Sequence, residues 1–539
     1  MHDAGTYDYI VVGAGSAGCV LANRLSASGR HSVLLLEAGG SDNKFWIHVP
    51  LGYGKLFADP TVNWLYQTVP QRGLNGRRIA QPRGKVLGGS SAINGLLYVR
   101  GQREDFDAWR DGGAAGWGFD DLLPYFIRAE DQERGASPYH GTGGPLPVSN
   151  QREPHPLCDA FIASAATAGN PVNDDFNGAA QEGAGYYQTT SRYGLRVSAA
   201  AAYLRPARRR RNLRVLTHAA ATRIVIENRK ATGIELTVRG EPARANVRGE
   251  LIIATGAAGT PHLLQLSGIG PAELLRSHGI WAIQDLPVGE GLQDHLQMRA
   301  LYRSTTPFTL NDDMMRLHRQ AWIALRFALL RKGPLTVSAG YAGGFFRSRI
   351  ADARPDMQVH FINFSTDKMG TSLHRHSGFT ASSCQLRPTS RGSVRIVSPD
   401  PRDPPAIDPN YLDTEEDRVA NVEGFKTLRA IMRAEPVRSF VAEEMEPAPD
   451  VATDAELLAY CRERAGSLYH LSCTAQMGTG KQAVVDPRLR VRGIAGLRVV
   501  DGSVMPALIS GNSHAAIVAI GEKASDMILA DAGNAAAGR

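Results

Sequence analysis

Cysteine is scarce in this chain. Five residues, Cys19, Cys158, Cys384, Cys461 and Cys473, are scattered along 539 positions, odd in number and without a CxxC spacing. Neither a disulfide framework nor a zinc site follows from such a set, and no metal is expected. A reducing cytoplasm is the expected setting. Long hydrophobic runs are also missing. No stretch approaches a membrane-spanning length. The first apolar run, residues 9–12, is too short for a secretory signal and leads straight into glycines. Nor is charge arranged for nucleic acid. The net charge is +7, and much of it sits in four arginines at 208–211, with no aromatics between them to stack on bases. That run reads as a solvated loop ahead of a strand at 213–216. Repeats and low-complexity tracts are absent, apart from an Ala- and Gly-rich tail after Asp531 that is expected to fray.

Glycine, by contrast, is plentiful, and its first cluster is informative. Residues 7–12 alternate into a short apolar strand, Gly13-x-Gly15-x-x-Gly18 forms a turn, and Leu21 and Leu25 give a helix its buried stripe before Gly29. A second buried strand over 33–36 ends at Glu37. This is a βαβ unit opening a doubly wound parallel sheet. The glycines let the backbone approach a pyrophosphate, whose charge then rests on the amides of a helix N-terminus. Glu37 can accept a hydrogen bond from a ribose 2′-hydroxyl, which disfavours a 2′-phosphate. The motif does not by itself separate FAD from NAD.

Two longer segments do. Arg83-Gly84-Lys85-Val86-Leu87-Gly88-Gly89-Ser90-Ser91-Ala92-Ile93-Asn94-Gly95 resembles the first signature of the glucose–methanol–choline oxidoreductase family. Gly256-Ala257-Ala258-Gly259-Thr260-Pro261-His262-Leu263-Leu264-Gln265-Leu266-Ser267-Gly268-Ile269-Gly270 resembles the second. Asn63-Trp64, Tyr98-Val99-Arg100-Gly101 and Asp408-Pro409-Asn410-Tyr411-Leu412 bring the resemblance closest to bacterial choline dehydrogenases and long-chain alcohol dehydrogenases.

The resemblance implies an α/β protein that is α+β overall. A Rossmann-like FAD-binding domain with a doubly wound parallel sheet would take residues 1–155, 205–300 and 465–539. A substrate domain, an antiparallel sheet flanked by helices, would take 156–204 and 301–464. The implied cofactor is FAD, contacted by Gly13, Gly15, Ser16, Ala17, Gly18, Glu37, Ala38, Trp64, Leu87, Gly89, Ser90, Asn94, Gly95, Leu96, Ala221, Asp501, Gly502 and Ala515. Some relatives bind flavin covalently through a histidine just before the asparagine. Here that position is Ile93, which implies non-covalent FAD.

Tyr469-His470-Leu471-Ser472-Cys473-Thr474-Ala475-Gln476-Met477-Gly478 resembles the catalytic-histidine segment. An imidazole has the side-chain pKa nearest neutrality and suits the removal of a hydroxyl proton. Isolated histidines are more often structural, and His218, His262 and His360 are expected to be so. In Ser510-Gly511-Asn512-Ser513-His514-Ala515-Ala516, Asn512 or Ser513 is expected to cap a helix aimed at the flavin. His514 is taken as the second active-site residue, where choline-type relatives have asparagine; that departure argues against choline.

The expected reaction is oxidation of an apolar or aromatic primary alcohol to the aldehyde. His470 would accept the proton, His514 would hold the oxygen, and FAD would accept the hydride. Oxygen or a quinone-type carrier would take the electrons. Hydroxynitrile lyases and fatty-acid photodecarboxylases of the same fold are the rival readings, with a non-enzymatic flavoprotein as the third. The expected location is the bacterial cytoplasm, with peripheral contact at the inner membrane the less favoured reading. That reading rests on an amphipathic helix at 313–331, which is preferred as a core helix with solvated arginines.

Overall fold

A computed structural model describes residues 2–368 and 370–537. The βαβ unit is present as the strand His2–Val12, the helix Ser16–Ser26 and the strand Val33–Leu36. All four residues of the second strand are buried, as a strand covered on both faces requires. Around this unit lies a parallel core in the order 213–216, 33–36, 2–12, 241–253, with Leu497–Val499 parallel to the end of 241–253. The strands Ala219–Glu227 and Lys230–Val238 extend the sheet as an antiparallel meander. The sheet is therefore mixed at one edge.

The second sheet is antiparallel throughout, in the order 441–446, 296–304, 378–385, 357–362, 342–346, 183–186. The strand Leu296–Ser304 crosses the expected boundary at 300 and pairs wholly within this sheet. The helix Glu415–Arg433 packs on it, N-capped by the Thr414 side chain accepting from the Asp417 amide and carrying three acidic residues in its first turn. Each sheet has its own apolar core.

Two elements differ from expectation. The Ala-rich tail is helical beyond Asp531 as far as Ala537, its last described residue, in the helix His514–Ala537. Arg488 and Arg498 both bind the Asp531 carboxylate and hold this part of the helix down. The helix expected over 313–331 is broken: a short turn, Leu310–Met314, precedes the helix Leu317–Leu330. Of the latter only Ile323 and Phe327 are buried, so it is not a core helix. No helix among the described residues is long and apolar enough to cross a membrane.

Candidate active site

The two long helices whose N-termini matter lie against each other. A Cβ at Gly521 would stand 3.2 Å from Ala17 Cα and Val20 Cβ, so this glycine permits the close crossing. The first residues of both helices meet as well, Ser16 Oγ lying 3.0 Å from His514 Nδ1. Both N-termini open on one cavity of about 1310 Å³ that runs between the sheets. That exceeds the roughly 300–1,000 Å³ of ordinary small-molecule sites and leaves room for a dinucleotide and a substrate together.

The glycine turn builds one part of the wall. Gly15 offers no side-chain cap to the Ser16–Ser26 helix, so its leading amides stay free for an anion. Gly18 does not line the cavity. A Cβ there would stand 1.8 Å from Gly13 O, so Gly18 serves the packing of helix on strand. Leu87 and Ala515 also sit behind the wall, in the first core. Every other residue expected at the cofactor lines the cavity: Gly13, Gly15, Ser16, Ala17, Glu37, Ala38, Trp64, Gly89, Ser90, Asn94, Gly95, Leu96, Ala221, Asp501 and Gly502.

Glu37 is buried and accepts from the amides of Ala14 and Gly39, one on each oxygen. Burial pushes its pKa up to about 7 against those two bonds. Each oxygen keeps a lone pair for a ribose hydroxyl. Asp501 accepts from Gly256 N at 2.8 Å and Thr260 Oγ at 2.7 Å, and so ties the terminal motif to the second signature segment. An uncapped helix end, a free acceptor pair and glycine edges facing open space fit FAD.

The other end of the cavity is built around His470. Asp294 accepts its backbone N–H at 2.7 Å. Arg83 donates to the carbonyl of Tyr469, whose φ of +68° is left-handed and needs such anchoring. Hydrogen-bond partners decide the tautomer of the ring. His295 Nε2 lies 2.9 Å from Leu386 O, which can only accept, so Nε2 carries the proton. Burial lowers the His295 pKa and keeps that ring neutral, so its Nδ1 is an acceptor. The 2.9 Å contact between His295 Nδ1 and His470 Nδ1 therefore has His470 donating. The lone pair of His470 is left on Nε2.

The residue facing that lone pair is Asn512, not His514. Asn512 Nδ2 stands 3.2 Å from His470 Nε2, while its Oδ1 accepts from Gln358 Nε2 at 3.1 Å. The residue next after Gly511 is thus an asparagine, and the departure from choline-type relatives inferred from His514 disappears. Of the two residues expected as the helix cap, Asn512 has its side chain committed to His470 and Gln358, and Ser513 directly precedes the helix. His514 lines the cavity too, bound to Ser16 through Nδ1, with Nε2 free of any protein partner and its pKa pushed down by burial to about 4.

His218, His262 and His360, expected as structural, all line the cavity. His360 is the clearest case. It is buried beside Tyr187, neither ring nitrogen has a protein partner, and burial holds its pKa near 4. It stands on the 357–362 strand opposite Ser382, which in turn pairs with Arg299. All three line the cavity, as do Ile362 and Thr380. Arg83 is buried against the same end with one guanidinium nitrogen, Nη2, unpartnered. Burial, with the His295 and His360 rings and the Arg83 cation, holds the pKa of His470 well below the ordinary imidazole value. Among the described residues there is no cluster of metal-ligating side chains.

Residues 7–297 and 388–521 match the N- and C-terminal profiles described as GMC oxidoreductase. The chain is 41% identical to the alcohol dehydrogenase [acceptor] of Pseudomonas putida, over 97% of this chain and 96% of that protein. It is 42% identical to the oxygen-dependent choline dehydrogenase of Vibrio vulnificus, over 97% and 94%. Its fold superposes on the crystal structure of pyridoxine 4-oxidase from Mesorbium loti with a TM-score of 0.88 and 32% identity, covering 96% of this chain and 98% of that one.

Proposed function

The chain belongs to the GMC oxidoreductase family and is an FAD-dependent oxidoreductase of CH–OH groups; from that premise we propose that it oxidises a neutral primary alcohol with an apolar or aromatic body. The observation that carries this reading is the lone pair of His470 Nε2, fixed by the His295 bond and facing Asn512. A hydroxyl that displaces the Asn512 N–H from this lone pair would give its proton to Nε2. Asn512 has a second N–H for the substrate oxygen. Arg83, close by, favours the negative charge that grows on that oxygen as the proton leaves. FAD, when bound, supplies the hydride acceptor for the carbinol carbon.

The wall argues about the substrate too. The row of Arg299, Ser382 and His360 beside His470 carries a guanidinium and no carboxylate. A quaternary ammonium substrate would meet a like charge there and no carboxylate within the row, and like-charge juxtaposition works against a partner. This supports a neutral alcohol over choline, a distinction that the asparagine at 512 no longer makes.

Anaerobic mixing with a panel of alcohols, choline included, tests the reading, and admission of air afterwards reports the electron acceptor. Bleaching of the flavin by neutral alcohols and not by choline is expected. Bleaching by choline alone would overturn the substrate proposal, and no bleaching by any alcohol would favour a lyase.

Two further outcomes are expected. Because Ile93 offers no side chain for a covalent link, acid precipitation should release all the flavin into the supernatant; fluorescence left in the pellet would contradict this. The low pKa of His470 sets a pH dependence. A base acts unprotonated, so lowering its pKa keeps it competent to lower pH. Flavin reduction measured by anaerobic stopped flow should stay flat as pH falls from about 8 through the ordinary imidazole value of 6.5. A rate that halves at or above that value would show an unshifted base.

A further inference from the structure

The helix Leu317–Leu330 turns its greasy side outward. Ile323 and Phe327 hold it to the protein. Leu317 is 81% exposed, Trp322 61%, Leu325 49% and Leu329 71%. At about 100° per residue these four, with Ala321, Ala324 and Ala328, share one arc of roughly 160°, set opposite the buried pair. His318 is the one polar residue within it. An exposed apolar stripe of this length on a chain with two well-filled cores marks a surface made to be covered.

The charges around the stripe select what covers it. Asp313 and Glu153, the carboxylates that touch this helix, are taken up by Arg319 at 3.1 Å and Arg326 at 2.6 Å. Arg316 at one end, with Arg331 and Lys332 at the other, adds cations and no carboxylate. Exposed Tyr193 stands beside the C-terminal end, where a Cβ on its neighbour Gly194 would lie 2.4 Å from Arg331 O. A second copy laid antiparallel on this face would set Arg316 against Arg331 and Lys332, cation on cation. An anionic surface with an apolar interior meets both the charge and the stripe.

We propose that the helix Leu317–Leu330 docks flat on an anionic lipid surface, with Trp322, Leu325 and Leu329 immersed and Arg316, Arg331 and Lys332 among the headgroups. Ala339, nine residues beyond the helix, forms part of the cavity wall, its N–H donating to Gly95 O at 3.2 Å. The chain thus passes from the docked helix to the cavity wall within nine residues. The inference does not depend on which alcohol is oxidised.

Sedimentation of the holoprotein with vesicles is the test. Vesicles of phosphatidylcholine with phosphatidylglycerol should pellet the protein at least about tenfold better than phosphatidylcholine alone. Combined Trp322→Ser, Leu325→Ser and Leu329→Ser substitutions should lower that partition by at least about tenfold, as should combined Arg316→Gln, Arg331→Gln and Lys332→Gln. Leu329→Glu alone, a milder change to the fold, should lower it as well. None of these residues lines the cavity, so alcohol-driven reduction of a soluble dye should not change in any variant. Trp322 emission should shift to the blue with the anionic vesicles, a shift absent in Trp322→Phe. The proposal fails if the parent stays in the supernatant with both vesicle types, or if the serine and Leu329→Glu variants bind as the parent does. It fails equally if the serine variant instead converts a dimer to a monomer, which would give the face to a second copy.

Discussion

His470→Ala should slow anaerobic flavin reduction by a competent alcohol about 10²–10⁴-fold, the usual contribution of a positioned general base. The protein should still fold and hold FAD, because His470 lies at the far end of the cavity from Glu37 and the glycine turn. The neighbouring residues make the expectation sharper. Asn512→Ala removes a donor and leaves the lone pair of His470 in place, so the loss should be smaller, about 10-fold to 10²-fold, in keeping with one hydrogen bond to a developing charge. His514→Asn should cost least, since His514 is committed to Ser16 and not to His470. A deuterated carbinol confirms that hydride transfer is the step being timed. If His470→Ala reduces its flavin within a few-fold of the parent, the assignment of the base is wrong. His514, with its free Nε2, then becomes the leading candidate.

Gly89→Ala should yield a colourless protein. Gly89 has φ +53°, and a Cβ there would stand 2.7 Å from Gly15 Cα. The left-handed conformation alone costs an alanine about 1–2 kcal/mol. The larger effect is the contact, which drives apart the two glycine edges that line the cavity beside the uncapped helix end. Flavin absorbance relative to protein absorbance after purification reads the result. Gly76→Ala is the matching control: φ is +75°, nothing lies within 4 Å, and the position is outside the cavity wall. It carries the backbone cost without the contact and should stay yellow. Full flavin content in Gly89→Ala would show that the two glycine edges need not meet.

The parts of the site that can be read from sequence are those in which consecutive residues face the same ligand. The glycine turn, the 83–95 segment and the 469–478 segment are of this kind, and they carry FAD, alcohol chemistry and His470 without any structure. What escapes is decided by chain direction or by distance. Asn512 and His514 are two polar residues shortly after a glycine. Which one turns to His470 depends on Gly511, with φ at +148°, and on the helix beginning only at His514. His295 lies 175 positions from His470 and meets it only because residues 466–467 pair antiparallel with the start of the strand at 296–304. His360 sits in a strand buried along its whole length, 357–362, where alternation gives no hint of which side holds a cavity. The helix at 317–330 is apolar on both sides, so its pattern names two possible inner faces and only packing chooses between them.

The meeting of Ser16 with His514 has a cost when nothing lies in front of it. Each helix N-terminus carries a partial charge of about +0.5, and here two are pinned side by side. Without an anion before them these like partial charges stand uncompensated, and the close crossing at Gly521 keeps them near each other. The empty protein is thus electrostatically frustrated, and a ligand that binds only the folded form relieves it by mass action. Shelf life then follows occupancy. Dilution below the dissociation constant should shed flavin first and structure afterwards, and a small excess of free FAD in the storage buffer should preserve both.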